Sequence, residues 1–147
     1  MIGVTENLAI IRDLLKQATI DAGRDPDSVK LVAVSKKHPL SAILEAAAAG
    51  QRDFGENFVQ EGIDKIENAG RDDLVWHFIG HLQSNKTRDA AKYFDWVHTI
   101  DRLKIARRLS AQRPAELAPL NVLVQVNVDD EASKSGVPPE AAVDLVW

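Results

Sequence analysis

Leu31-Val32-Ala33-Val34-Ser35-Lys36-Lys37-His38-Pro39 is the stretch on which the fold turns. Five apolar or small residues running into a pair of lysines and then Pro39 read as a short buried strand that ends at an amine. Val32, Val34 and Lys36 share one face of that strand, and Lys37 is expected to look the other way. Outward from it, β-like runs recur near residues 31–35, 52–54, 75–79, 96–100 and 121–128, separated by helical patterns. That alternation predicts βα units and a parallel sheet. The starting positions are spaced by 21, 23, 21 and 25 residues, a pitch suited to compact (β/α) units. Two architectures fit: part of a closed eight-stranded barrel, or an open five-stranded sheet of the flavodoxin type, which needs a reversal of strand order.

The intervening segments carry their own punctuation. Thr5 is placed to cap a first helix bearing Leu8, Ile11, Leu15 and Ala18, with Gly23 beyond its end. Pro39 opens a second helix, whose face is Leu40, Ile43, Leu44 and Ala47 and which stops at Gly50. Asn57 is placed to cap a third, with Val59, Gly62, Ile63 and Ile66 inward and Gly70 at its end; Ser84 and Asp101 are the corresponding caps for the next two. Along the fifth strand Val122, Val124, Val126 and Val128 are expected beneath the helices, and Gln125 and Asn127 toward the barrel interior. A last helix starts at Pro138 and Pro139.

Composition bounds the function. The 147 residues are 45% hydrophobic, enough for one globular domain over residues 1–147. Eighteen Lys and Arg against 22 Asp and Glu give a net charge of -4, so neither nucleic acid nor an anionic membrane is the expected partner. Cysteine is absent, which removes disulfides, thiolate nucleophiles and Cys-bound metal and fits a cytoplasmic setting. No run reaches the ~18 apolar residues of a membrane span, and the N-terminal MIGVTENLAIIRDLLKQ lacks the basic-then-apolar order of a secretory signal. The cluster Arg102, Lys104, Arg107 and Arg108 reads as the solvated face of a helix.

The chemistry centres on Lys36. A lysine attacks a carbonyl only when neutral, and from a reference pKa near 10.4 about one in a few thousand is neutral at pH 7. Partial burial or a nearby cation raises that fraction. A lysine at the C-terminal tip of a barrel strand stands where barrel active sites lie; taken alone, it reads equally as a solvated residue ending a strand. His77 shares a strand face with Val75 and Ile79, as either a hydrogen-bonded core residue or a site residue. His77 and His81 are four apart, but a metal pair at that spacing needs a helix, and here it runs from strand to loop.

Together LVAVSKKHP (31–39), FGENFVQE (54–61), WHFIGHLQSNK (76–86) and NVDDEASKSG (127–136) resemble the pyridoxal-phosphate homeostasis protein family, related to the N-terminal barrel of alanine racemase. The resemblance spans nearly the whole chain. It implies a (β/α)8 TIM-barrel-type fold of PLP fold type III, with about the first five βα units present here. It also implies pyridoxal 5′-phosphate (PLP) as cofactor, held by Lys36 as a Schiff base. Asn57 then faces the mouth as a cofactor contact or serves as a helix cap. His77 and Lys134 are further cofactor-binding candidates, although Ser135-Gly136 beside Lys134 also reads as a turn. His81 stands where family members commonly have proline. The family's phosphate cradle comes from a serine-containing segment and a glycine-rich turn later than residue 147, so the chain is expected to be C-terminally truncated, with open barrel edges that favour self-association where the full-length family is monomeric. The implied role is PLP carriage and homeostasis without turnover. The alternatives are a PLP-dependent racemase-like enzyme, which needs a second acid/base group opposite the lysine, and a shortened product that binds no cofactor.

Overall fold

The computed structural model describes residues 3–129 and 135–146. Its framework is a five-stranded sheet with β1 at Ala33–Val34, β2 at Asp53–Glu56, β3 at Val75–Phe78, β4 at Trp96–Ile100 and β5 at Asn121–Val124. Every neighbouring pair is parallel and the spatial order is β1-β2-β3-β4-β5. Strand order therefore follows chain order without reversal, which excludes the flavodoxin arrangement and matches the opening units of a (β/α)8 barrel. The connections are helical: α1 (Val4–Asp21) precedes β1, and α2 (Leu40–Ala48), α3 (Val59–Ala69), α4 (Thr87–Tyr93) and α5 (Leu103–Gln112) each follow a strand. A final α6 (Ala142–Val146) follows a short 3-10 turn at Pro139–Ala141.

Register assigns the two faces of the sheet. Phe54 aligns with Ala33 and Trp76, and Phe78 with Glu56 and Val97. The apolar members of this set pack against the helices with Ile43, Ala47, Ile63, Ala91, Phe94, Ile105 and Leu109, all 5% exposed or less. Each large side chain sealed there stabilises the fold by roughly 1.5–3 kcal/mol. The opposite, inner face carries Val32, Gly55 and Ile79 in contact, since a Cβ on Gly55 would lie 3.0 Å from Ile79 Cδ1 and 3.3 Å from Val32 Cγ1. His77, aligned with Gly55 and Trp96, lies on this face too.

Several expectations need correction. None of the four side-chain caps forms: α1 starts after Gly3 with Thr5 inside it, Phe58 rather than Asn57 precedes α3, Ser84 opens a 3-10 turn ahead of α4, and Arg102 rather than Asp101 precedes α5. Asn57 and Asp101 sit directly after β2 and β4 instead, where Asp101 accepts from Gly136 N–H. The fifth strand also stops at Val124 instead of 128. Its partner β4 has a register irregularity between Val97 and Ile100, and beyond it the backbone changes partner: Asn127 N–H donates to Val137 O at 2.8 Å, and Val137 N–H to Gln125 O at 3.0 Å. Val122 aligns with Val97, but Val122, Val126 and Val128 are exposed rather than covered by helices. Ile11 and Ala18 on α1 are exposed, whereas Leu8 and Thr19 are buried.

Candidate functional site

Lys36 lies two residues beyond Val34, at the C-terminal end of the sheet, and is exposed. The loop bearing it is held on both sides. Before it, Ser35 is buried; its N–H and Oγ both donate to Gly55 O, at 2.9 and 3.2 Å, and its Oγ also meets the Glu56 carboxylate. After it, Lys37 has φ 62, a left-handed conformation uncommon for a residue with a Cβ, and its N–H donates to Glu61 Oε1 at 2.6 Å. Lys65 joins the two sides. Its ammonium donates to Ser35 O at 2.7 Å, to both Glu56 oxygens at 3.1 Å and to Glu61 Oε1 at 3.1 Å. Glu56 is fully buried and Lys65 is 9% exposed. The Lys37 N–H bond holds the Glu61 carboxyl below the usual carboxylate range, against a smaller upward push from burial and with help from Lys65.

Glu56, Glu61 and Lys65 were not found by sequence reasoning. Two signals were available. Glu56 ends a strand whose four residues are all buried, so its carboxylate requires a buried partner. Glu61 and Lys65 form an i,i+4 pair, with Lys65 next to the inward residues Ile63 and Ile66 rather than on an open face.

Asn57 follows β2 directly. Its Oδ1 is buried and, among the described residues, has no hydrogen-bond partner. The backbone around it is tightly placed: a Cβ at Gly80 would lie 2.0 Å from Asn57 O, so only glycine lets the end of the third unit approach the second. Gly80 O in turn accepts from Thr99 Oγ1 at 2.6 Å. Asn57, Gly80, His81, Gln83 and Lys86 line a common cleft between the loops after β2 and β3. Two residues of the basic cluster also brace those loops: Arg102, which stays exposed, donates to Leu82 O at 3.2 Å, and the half-buried Arg108 donates to Ser84 O at 3.2 Å and Thr87 Oγ1 at 3.1 Å. Lys104 and Arg107 remain exposed as expected.

His77 is 2% exposed, and both of its ring nitrogens are engaged. Nε2 lies 2.8 Å from Asp53 Oδ1 and Nδ1 lies 2.9 Å from His98 Nε2, with Trp96 stacked against the ring at 5.6 Å. Lys30 lies 3.4 Å from the same Asp53 oxygen. Burial first, and the neighbouring His77 second, push the His98 imidazole below its ordinary range. His81 does not join this group; its Nδ1 lies 3.1 Å from Ser135 Oγ. No cluster able to hold a metal ion occurs among the described residues. Asp101 accepts from Gly136 N–H at 3.0 Å, so the loops after β3, β4 and β5 are linked at one end of the sheet. Lys134 lies outside the described residues.

A strand-end amine, a buried amide oxygen still without a partner on the neighbouring strand end, and loops braced around them fit a ligand with a carbonyl group and a polar ring edge. The sheet order and the site at its C-terminal end define the barrel class. The chain belongs to the alanine racemase N-terminal domain family, whose profile matches residues 7–147. It is 59% identical over 137 residues to the pyridoxal phosphate homeostasis protein of Escherichia coli K12, covering 91% of this chain and 58% of that protein. It is 57% identical over 137 residues to the protein of the same description from Pseudomonas aeruginosa, covering 93% and 60%. The chain thus spans about three fifths of the length of these relatives. Among solved structures, PipY of Synechococcus elongatus PCC7942 with PLP bound is 44% identical with a TM-score of 0.68, over 85% of this chain and 57% of that one. A protein from Bifidobacterium adolescentis is 29% identical with a TM-score of 0.83, over 97% and 62%. Among the described residues no helix is long and apolar enough to cross a membrane.

Proposed function

We propose that this chain holds PLP through the Lys36 amine and serves intracellular PLP homeostasis as a carrier, without turning over a substrate. The observation that carries the reading is the placement of Lys36 one strand away from Asn57, whose buried Oδ1 lacks a partner, at the C-terminal end of a barrel-type sheet. When bound, PLP supplies an aldehyde that condenses with a neutral primary amine, forming a carbon–nitrogen double bond and releasing one water. Lys36 offers that amine from a loop whose backbone is fixed on both sides. Asn57 engages the polar edge of the ring, and Gly80 lets the neighbouring loop close beside it. His77, with both nitrogens occupied within the sheet, supports the floor rather than touching the cofactor. Lys134, which comes after β5 in the sequence, is a further cofactor-binding residue in this reading and adds positive charge.

The relatives' description as pyridoxal phosphate homeostasis proteins supports a homeostatic role, which we read as carriage. A racemase needs a second proton donor or acceptor across the cofactor from the lysine, and His77 is not free to act as one. The same resemblance supports a cytoplasmic setting for this role.

Titration of the purified chain with PLP, borohydride reduction and peptide mass spectrometry provide the test. One modification per chain, on the peptide containing Lys36, is expected. Scattered labelling across surface lysines would remove the assignment.

A further inference from the structure

Lys36 is the chemical group of its loop, and the two peptide units flanking it are both gripped from α3. Lys65 Nζ takes Ser35 O at 2.7 Å, and Glu61 Oε1 takes Lys37 N–H at 2.6 Å. Residues 61 and 65 are one helical turn apart and bonded to each other at 3.1 Å. Both connect to Glu56 at the end of β2, directly or through Lys65. Among the described residues, Lys65 with Glu56 is the lysine or arginine ion pair in which both side chains are buried, at 10% and 0% exposure; the other Lys or Arg pairs leave at least one side chain 29% exposed or more. Burying two charges is costly and gives no net advantage over apolar packing, so the arrangement calls for an explanation in what it holds. What it holds is a left-handed Lys37, the conformation that turns the chain immediately after Lys36.

We propose that Glu56, Glu61 and Lys65 form a positioning clasp that presets the Lys36 amine for attachment to an aldehyde. The proposal rests on Lys36 being the PLP anchor. The clasp acts on backbone geometry before any ligand arrives, so it sets the rate at which Lys36 is captured. It touches neither cofactor nor amine, and its members are positioning residues.

Glu61→Ala is the discriminating variant, because it removes the acceptor for Lys37 N–H while leaving the buried Glu56–Lys65 pair in place. Glu61→Gln retains a side-chain oxygen able to accept the same bond and serves as the conservative rescue. Two quantities are read: hydrogen exchange at the Lys37 amide in the PLP-free protein, and the initial rate of Lys36 labelling by PLP, trapped with borohydride and located by mass spectrometry. In Glu61→Ala the amide should exchange about tenfold faster and Lys36 label about tenfold more slowly, the size expected for one charge-assisted hydrogen bond, while labelling of surface lysines stays constant. Glu61→Gln should return both to within about threefold. Wild-type labelling rates in Glu61→Ala, or an unchanged Lys37 exchange rate, overturn the clasp and leave the anchor assignment standing. Absence of Lys36 labelling in the wild type overturns both.

Discussion

Glu56 and Lys65 show how a residue-scale electrostatic choice shapes the site. A fully buried carboxylate is tolerated because Lys65 and the Ser35 hydroxyl both reach it, and Lys65 in turn fills its remaining donor capacity with Ser35 O and Glu61. Lys65→Met strands the Glu56 charge and should cost about 3–5 kcal/mol in urea unfolding. Adding Glu56→Gln to that variant should restore most of the loss, and a single-variant loss under about 1 kcal/mol would contradict the buried-pair account. At this scale the strand-end position of Lys36 is legible in the sequence, and little else is. Lys36 announces itself because a charge ends an apolar run. Glu56 and Lys65 are nine positions apart, and only the fold shows that a strand end and a helix face meet. Asn57 and Asp101 have the composition of caps, but both follow strands directly, and the Asp101 carboxylate is taken by the Gly136 N–H rather than by a helix N-terminus.

The strands and helices were more legible than their ends. Four of the five strands fall within about two residues of where alternation places them, because buried parallel strands leave continuous apolar runs bounded by turn residues. The fifth ends early, since its partner's register irregularity is not visible in its own pattern. Arg108 of α5 departs from its pattern for a similar reason: it lies on a polar face by sequence and donates to the Ser84 carbonyl by structure. Arg113, just past α5, likewise donates to Ala91 O and Phe94 O at the end of α4, at 2.8 and 2.7 Å, satisfying carbonyls the helix itself leaves open. The inner faces of β2, β3 and β4 carry a pH-dependent element. His98 resists protonation in the folded chain, whereas an unfolded histidine takes up a proton near pH 6.5. Unfolded chains therefore bind more protons below that pH, so stability should be complete above about 6.5 and decline as the pH falls through it. The groups facing His98 are His77, the Asp53 bonded to it, Lys30 beside Asp53, and Trp96. Urea midpoints at pH 7.5 and 5.5 should show the drop, and His98→Gln should flatten it. The Glu61 contribution has the opposite origin, a carboxyl lowered in the fold, and is lost only in a more acidic window, below the ordinary carboxylate range.

For the whole molecule, the decisive fact is that each strand pairs with its successor. Pitch and polarity in the sequence leave a choice between an open sheet and an arc of a barrel; the structure resolves it because pairing order is a long-range property that local pattern does not encode. Among the described residues β1 and β5 each pair on one side only, and apolar side chains lie open near both, including Val34 at 50%, Leu123 at 47% and Val128 at 75% exposure. Such surface favours association. Sedimentation velocity across about a hundredfold range of concentration should show the mean coefficient rising, and a constant monomer value would argue that these edges are passivated. The successive order has a kinetic consequence as well. First residues of neighbouring strands are 20, 22, 21 and 25 positions apart, so every closure is short and of nearly equal entropic cost. Among the five described strands, none has to be inserted between two that are already paired. The molecule can therefore grow from its N-terminus one unit at a time, each new strand docking on a finished edge, which suits a chain that folds while it is still being synthesised.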